Sequence, residues 1–310
     1  MKDVLGMIIK IYGAYYTVQW NNKKINCVLR GRIRKDKEML HYSNPAAVGD
    51  FVRFDLNNDG TGVINEIQTR RNIFSRKEKG KNRKEDIIAS NLDHIVIIQS
   101  FNNPKFNFRF VDRIIVRGEK EGIGILLCIN KIDLANRETI KYIKNYYAEA
   151  KIGICMVSAI TGEGMNDLTK LLKGKVSLFV GSSGVGKTSA INYLNPGLKL
   201  RTSDVSIKTR KGKHTTANVE MIIMPNETFI IDTPGVKEFG LMDIEPHELG
   251  QYFSEFRKYA DLCEFKPCTH DHEPSCEVKR QVDMGNIYPD RYISYLNILY
   301  SLIDYYKSRY

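Results

Sequence analysis

The chain has 310 residues, 42% hydrophobic and 27% charged, with a formal net charge of +11. That length allows two or three domains with a sizeable core, and the absence of any run of about eighteen apolar residues excludes helical membrane spans. Six cysteines are too few for a disulfide framework in a chain this long, and three crowd into one short segment, which points to metal in a reducing compartment. The early apolar stretch 4–9 is cut by Lys10 and has no small-residue cleavage site behind it, so a soluble, cytoplasmic monomer with no membrane partner is expected.

From the amino terminus, residues 1–85 carry 18 Lys and Arg against 9 Asp and Glu, nine of the eleven net positive charges. Such a field suits phosphate backbones and makes binding salt-dependent, although a well-solvated basic face gives the same count. Short alternating stretches at 7–12, 15–20, 25–29, 50–55 and 62–67, punctuated by Gly13, Gly31, Gly49 and Gly60, predict five strands of a small barrel in residues 1–70. Tyr15, Tyr16 and Trp20 lie among the basic residues Arg30, Arg32, Arg34 and Lys35, and the basic stretch is the expected nucleic-acid contact, since several rings are needed for the core. Residues 71–85 are almost all charged or polar, which reads as a basic linker.

A second domain, 71–242 with that linker, alternates strands and helices. Strands are expected at 92–99, 124–129, 152–157, 176–180, 219–224 and 229–231, and helices at 110–119, 138–150 and from 190. This predicts a doubly wound α/β layer with its ligand at the carboxyl ends of the strands. The strand at 124–129 runs into Asn130-Lys131-Ile132-Asp133, the N-K-x-D signature of guanine-nucleotide binders. A carboxylate at Asp133 accepts from both the ring N–H and the exocyclic amino group of guanine, donors that adenine lacks there. Lys131 can cover the base and Asn130 can tie this loop to the phosphate loop. After 152–157 come Ser158 and Ala159, whose N–H groups would face the guanine carbonyl oxygen.

The strand at 176–180 opens into Gly181-Ser182-Ser183-Gly184-Val185-Gly186-Lys187-Thr188-Ser189, which fits G-x-x-x-x-G-K-[ST] and leads into a helix. Glycines let the backbone wrap a phosphate, the helix presents its positive end, Lys187 reaches the β- and γ-phosphates and the Thr188 hydroxyl sits on Mg²⁺. Further on, Asp232-Thr233-Pro234-Gly235 ends a strand, with Asp232 on the metal and the Gly235 N–H at the γ-phosphate. In a Ras-like domain the phosphate loop comes first; here the base-reading motifs precede it. The order is that of a circularly permuted GTPase.

Residues 243–310 read as a helical module, with helices at 246–262 and 290–310 around a polar loop. Within that loop Cys263, Cys268, His270 and Cys276 are spaced C-x₄-C-x-H-x₅-C, and His272 is a competing imidazole. Three thiolates and one imidazole close a tetrahedral structural Zn²⁺ shell, and metal would supply the stability that the loop's scarce apolar residues cannot. Cys27, Cys128 and Cys155 fall in predicted strands and read as core.

The permuted motif order, the phosphate loop, Lys213-His214-Thr215-Thr216 and the Cys/His cluster behind Asp-Thr-Pro-Gly together resemble the ribosome small-subunit-dependent GTPase A family (RsgA), over essentially the whole chain. The resemblance implies an OB-fold for the barrel and His270 rather than His272 as the fourth zinc ligand. It further implies GTP hydrolysis to GDP and phosphate, stimulated by the small ribosomal subunit, with rRNA as a partner and late subunit maturation as the setting. Ras-like enzymes orient the attacking water with a Gln shortly after D-x-x-G, whereas Val236 stands here. The candidate for that work is His214, with Thr215 or Thr216 as the second protein ligand to Mg²⁺. The segment after Asp232 leads straight into the zinc module, so the module is expected to act as a lever when the γ-phosphate is lost. The competing class is a GTP-binding RNA module with little turnover; an ATPase is disfavoured by Asp133.

Overall fold

A computed structural model describes residues 1–34, 42–77, 84–198, 200, 219–233, 241 and 243–308. Five strands, β1 (Val4–Tyr12), β2 (Tyr15–Trp20), β3 (Lys23–Leu29), β4 (Phe51–Leu56) and β5 (Gly62–Ile67), lie within a residue or three of their predicted bounds. A short helix α1 (Gly31–Arg34) follows β3. The strands pair in the ring β1-β2-β3-β5-β4 and back to β1, which closes an OB-like barrel without a free edge. Alternation fills it: Ile8, Val18, Phe54 and Ile64 are wholly buried, while Leu5, Tyr12 and Tyr15 point outward.

Residues 71–85 are not simply a linker. Strands β6 (Ile73–Lys77) and β7 (Glu85–Ser90) form an antiparallel pair, anchored by a wholly buried Phe74 that the surrounding charges obscured in the sequence. Residues 78–83, with Lys79, Lys81 and Arg83, lie outside the described residues. Beside this pair a buried Asp50 accepts from Arg70 Nε and Nη2 at 2.8 Å, Ser90 Oγ at 2.6 Å and the Ala47 N–H at 2.8 Å. The carboxylate is thus both paired and hydrogen-bonded, as burial demands, and through Ser90 it fastens the barrel to the end of β7.

The central sheet contains β8 (His94–Ser100), β9 (Gly124–Asn130), β10 (Gly153–Met156), β11 (Val176–Val180), β12 (Glu220–Met224) and β13 (Thr228–Asp232). Its order is β10-β9-β8-β11-β13-β12; the first five are parallel and β12 runs antiparallel to β13. Near-continuous apolar runs such as Ile95 to Ile98 follow from burial on both faces. One face is covered by α2 (Phe108–Glu121) and α3 (Arg137–Tyr146), the other by α4 (Met165–Leu172) and α5 (Lys187–Leu194). β12 also meets β1 at Lys10 and Glu220, whose side chains pair at 2.8 Å, so sheet and barrel share one hydrogen-bonded ladder.

The carboxyl-terminal module has a 3₁₀ turn (Pro246–Tyr252), α6 (Ser254–Ala260), α7 (Glu277–Asp283) and α8 (Pro289–Lys307). The helix expected at 246–262 is broken at Phe253, whose extended backbone (φ −101°, ψ 103°) lets its ring go inside, 4.5 Å from the Arg291 guanidinium and stacked on Phe256. α7 lies in the stretch expected to be loop; a wholly buried Val278 holds it in the module core. The module sits on α2. Arg291 pairs with Asp112 of α2 and, at 2.6 Å, with Glu255, all three essentially out of solvent. Tyr146 and Tyr147 donate to the same Asp112 at 2.6 and 3.0 Å, and Ser294 donates to it as well. Further along α2, Arg117 holds Asp243 through two bonds of 2.6 and 2.8 Å and Lys120 donates to the Asp243 carbonyl at 2.7 Å.

Candidate nucleotide site and metal centre

The phosphate loop leaves β11 between β8 and β13, at the carboxyl edge of the parallel strands. Close packing dictates its glycines: a Cβ on Gly181 would stand 2.5 Å from the Ile98 carbonyl oxygen, and one on Gly186, at φ +89°, 2.1 Å from Asn130 Nδ2. Val185 is wholly buried and pins the loop to the core. Lys187, itself buried, begins α5, and its Nζ lies 2.7 Å from the Thr233 carbonyl oxygen and 2.7 Å from Asp232 Oδ1. Thr188 is buried beside it, and Thr233 Oγ1 donates to Phe179 O at 3.0 Å, which locks the end of β13 to β11. The cation, the hydroxyl and the carboxylate that the sequence assigned to phosphates and metal therefore share one corner.

Asn130 stands between three loops. Its Nδ2 donates to Val185 O at 3.0 Å and its Oδ1 accepts the Ala159 N–H at 3.0 Å, so one side chain joins both base-side loops to the phosphate loop. Lys131, at φ +65°, sends its ammonium to the carbonyl oxygens of Gly184, at 2.7 Å, and Asn103. Asp133 lies in the 3₁₀ turn Ile132–Leu134 and is exposed at the rim, beside a half-buried Ile132. Ser158 is buried; its N–H donates to Glu163 O at 2.9 Å and its Oγ accepts the Thr161 N–H at 3.1 Å. The N–H groups of Ser158 and Ala159 thus both have partners within the protein. His214, Thr215, Thr216 and Gly235 lie outside the described residues.

The second centre is in the carboxyl-terminal module. One ligand atom from each of Cys263, Cys268, His270 and Cys276 falls within 4.8 Å of all the others. His270 Nδ1 is 3.7 Å from Cys263 Sγ and 3.5 Å from Cys276 Sγ, and the two sulfurs are 3.9 Å apart. These three distances outline one face of the tetrahedron that four such ligands would form, and the sulfur and nitrogen donors suit a structural metal site. Burial pushes the Cys268 thiol up to about 12, so a bound cation is what would make this set thiolate at neutral pH. His272 stands outside this group, with its side chain 81% exposed. Outer groups fix the inner ones, since Tyr292 donates to the His270 carbonyl at 2.6 Å, Tyr295 to Thr269 O at 2.6 Å, and Glu273 accepts from Thr269 N–H and Oγ1. A cation held by these four residues would add to burial in ordering a stretch that has little regular structure of its own.

Residues 67–242 match the RsgA GTPase family, and residues 5–64 match the RsgA N-terminal domain. The small ribosomal subunit biogenesis GTPase RsgA of Chlorobaculum tepidum is 39% identical over 315 residues, covering 98% of this chain and 100% of that one. Its namesake from Bacteroides fragilis is 37% identical over 298 residues, with 95% and 96% covered. Among solved structures, YjeQ from Thermotoga maritima superposes with a TM-score of 0.80 at 30% identity over 98% of this chain and 99% of that one. YloQ, described as a circularly permuted GTPase, gives 0.75 at 28% identity, with 97% and 96% covered.

The chain belongs to the RsgA GTPase family. It is a GTPase, a hydrolase acting on GTP, whose permuted motif order rebuilds the usual site because strands that are distant in sequence are neighbours in the sheet. Within this family member the barrel sorts its aromatic rings. Tyr16 is core, its hydroxyl donating to Asn44 Oδ1 at 2.9 Å, and Trp20 packs edge-on against Phe54. Tyr15 is 64% exposed and faces Tyr12, 67% exposed, across the β1–β2 pair. Alternation along the sequence singles out Tyr15 and not Tyr12; strand register, with Tyr12 opposite Tyr15 at the hairpin end, is the missing signal. Arg30 and Arg32 are exposed, Arg32 Nη2 reaching Asn65 O at 3.1 Å; the Arg34 side chain and Lys35 lie outside the described residues. No described helix is long and apolar enough to cross a membrane.

Proposed function

We propose that this chain, as a cytoplasmic monomer, hydrolyses GTP in response to the small ribosomal subunit and acts in that subunit's late maturation. The observation that carries the reading is Asn130 joining the Asp133 loop, the Ala159 loop and the phosphate loop, because that link brings the N-K-x-D residues and the phosphate loop together in one site. The family relatives cited above bear the name of small-subunit biogenesis GTPases, and the basic residues 1–85 suit rRNA. Asp133 reads the guanine ring N–H and amino group, with Lys131 and Ile132 beside the base and Ser158 and Ala159 behind it. The backbone of 181–186 and Lys187 hold the phosphates, Ser189 continuing the first turn of α5. Thr188, Asp232 and either Thr215 or Thr216 would hold Mg²⁺, which neutralises charge developing on the phosphates. Gly235 meets the γ-phosphate. Cys263, Cys268, His270 and Cys276 hold one structural Zn²⁺.

His214 is proposed to orient the attacking water when the subunit is bound, since an apolar Val236 cannot. The test compares GTP hydrolysis with and without small subunits. The parent should be slow alone and faster by orders of magnitude with subunits, as trans-acting partners achieve elsewhere. In His214→Ala, GTP affinity and subunit binding should survive while the stimulated rate falls by about a hundred-fold. A stimulated rate equal to the parent's removes His214 from this role; no stimulation of the parent removes the subunit.

A further inference from the structure

Between β8 and α2 the segment 100–107 crosses the carboxyl edge of the sheet without carrying any motif, yet it touches the phosphate loop from outside. Three features define its place. The Lys131 ammonium, held out by a left-handed backbone, bridges Asn103 O and Gly184 O, so the segment and the loop share one cation. Pro104 Cδ lies 3.6 Å from the position a Gly184 Cβ would take, so the proline ring borders the side of the loop on which that glycine carries no side chain. The wholly buried Ser100 donates its hydroxyl to Pro104 O at 2.7 Å and thereby fixes where the proline stands.

The rest of the segment is anchored away from the nucleotide. The Asn107 N–H donates to the buried Gln99 Oε1 at 3.2 Å, and Asn107 Oδ1 caps α2 by accepting from Phe110 N at 3.0 Å. Phe106 packs against Phe108 at 4.6 Å between ring centroids, and Phe108 against Tyr146 at 4.4 Å, a ring whose hydroxyl is held by Asp112. A lysine ammonium has three donors and no fixed direction; what gives the Lys131 bridge a direction is that Asn103 O is already positioned by its neighbours.

We infer that segment 100–107 is a positioning element of the nucleotide site, and that Ser100 is the positioning residue that sets it: the hydroxyl holds Pro104, and Pro104 with Asn103 holds Gly184 where the phosphates need its backbone. Ser100 touches no phosphate. It acts through Pro104 on a loop whose amides must converge on one point, and small misplacements of such a loop weaken binding more than they slow chemistry in the bound state. The inference rests on the reading of 181–189 as the phosphate loop.

The experiment uses the full chain with its metal and compares the parent, Ser100→Ala, Ser100→Thr and Lys187→Ala, reading KM and kcat for GTP, the dissociation rate of a fluorescent GDP, and thermal stability. Ser100→Ala strips Pro104 O of its donor and should raise KM and the GDP dissociation rate by about three- to ten-fold with kcat within about two-fold. Ser100→Thr keeps the hydroxyl and should restore both. A purely structural serine would lower the melting temperature and the active fraction without moving KM or the GDP dissociation rate, and that result overturns the inference. Lys187→Ala separates the two readings. If it loses GTP binding while Ser100→Ala matches the parent, only the positioning role fails; if it binds GTP as the parent does, the phosphate-loop reading fails and the inference falls with it.

Discussion

The base-reading role proposed for Asp133 rests on one exposed carboxylate held in a single 3₁₀ turn directly after the strand that carries Asn130. The residue has no role in folding that burial or pairing would reveal, so substitution there should act on the ligand alone. Asp133→Asn replaces one acceptor oxygen with a donor and faces it with the guanine amino group. GTP binding should weaken by about a hundred-fold or more, and xanthosine triphosphate, whose extra carbonyl accepts from the new amide, should take its place. Competition titrations with GTP, XTP and ATP would decide it; a variant that still prefers GTP removes Asp133 from base reading. By contrast, substitution of Asn130 would loosen three loops at once and could not separate affinity from fold.

Helix α2 is the element on which the carboxyl-terminal module is seated. It offers Asp112 on one turn and Arg117 and Lys120 on later turns, so the module is gripped at Arg291 and again at Asp243, the latter just past the Asp-Thr-Pro-Gly segment. The pairing with Arg117 and Lys120 outweighs burial and holds the Asp243 carboxyl well below its usual range. For Asp112, burial works against the charge, while Arg291 and the hydroxyls of Ser294, Tyr146 and Tyr147 work for it. Removing one partner of such a network leaves the others buried and unpaired. Arg291→Met, which keeps the length of the stem, should therefore cost about 3–5 kcal/mol in chemical denaturation, because it strands both Asp112 and Glu255. A loss below about 1 kcal/mol would mean that the triad is solvated and is not the fastening it resembles.

On the scale of the whole molecule, four hydrophobic clusters lie among the described residues: one in the barrel, one on each face of the central sheet, and one in the carboxyl-terminal module that takes in Val116 of α2. Metal loss should consequently be a local event. Cys268→Ser should abolish the bound zinc, one per chain in the parent, and loosen the module while GTP affinity changes by less than about three-fold. Metal analysis beside nucleotide titration checks both halves, and full zinc occupancy in the variant would rule out this ligand set. The lever expected from the permuted order has to work against the seat on α2, because the chain leaving the nucleotide site is clamped at Asp243 before it enters the module.

The sequence alone determined the chemistry and most of the strands. The phosphate loop, Asn130 to Asp133 and the cysteine cluster are contiguous or closely spaced, so their geometry is imposed locally by glycine, by turn and by ligand spacing. The five barrel strands were legible because alternation along a half-exposed strand is a local pattern. What needed the tertiary structure was every feature whose cause lies elsewhere in the chain. Phe74 made a strand inside a charged run, and Phe253 broke a helix to reach Arg291, each because a distant core offered its ring a place. That His270 stands among the three cysteines while the His272 side chain is 81% exposed was likewise invisible to spacing. Ser100, Pro104 and Asn103 became part of the nucleotide site only when the sheet brought β8 beside β11, since nothing within 100–107 itself carries the signature of a phosphate. Local chemistry can be read along one strand of text; contact between distant segments exists only once burial and register have chosen which strands are neighbours.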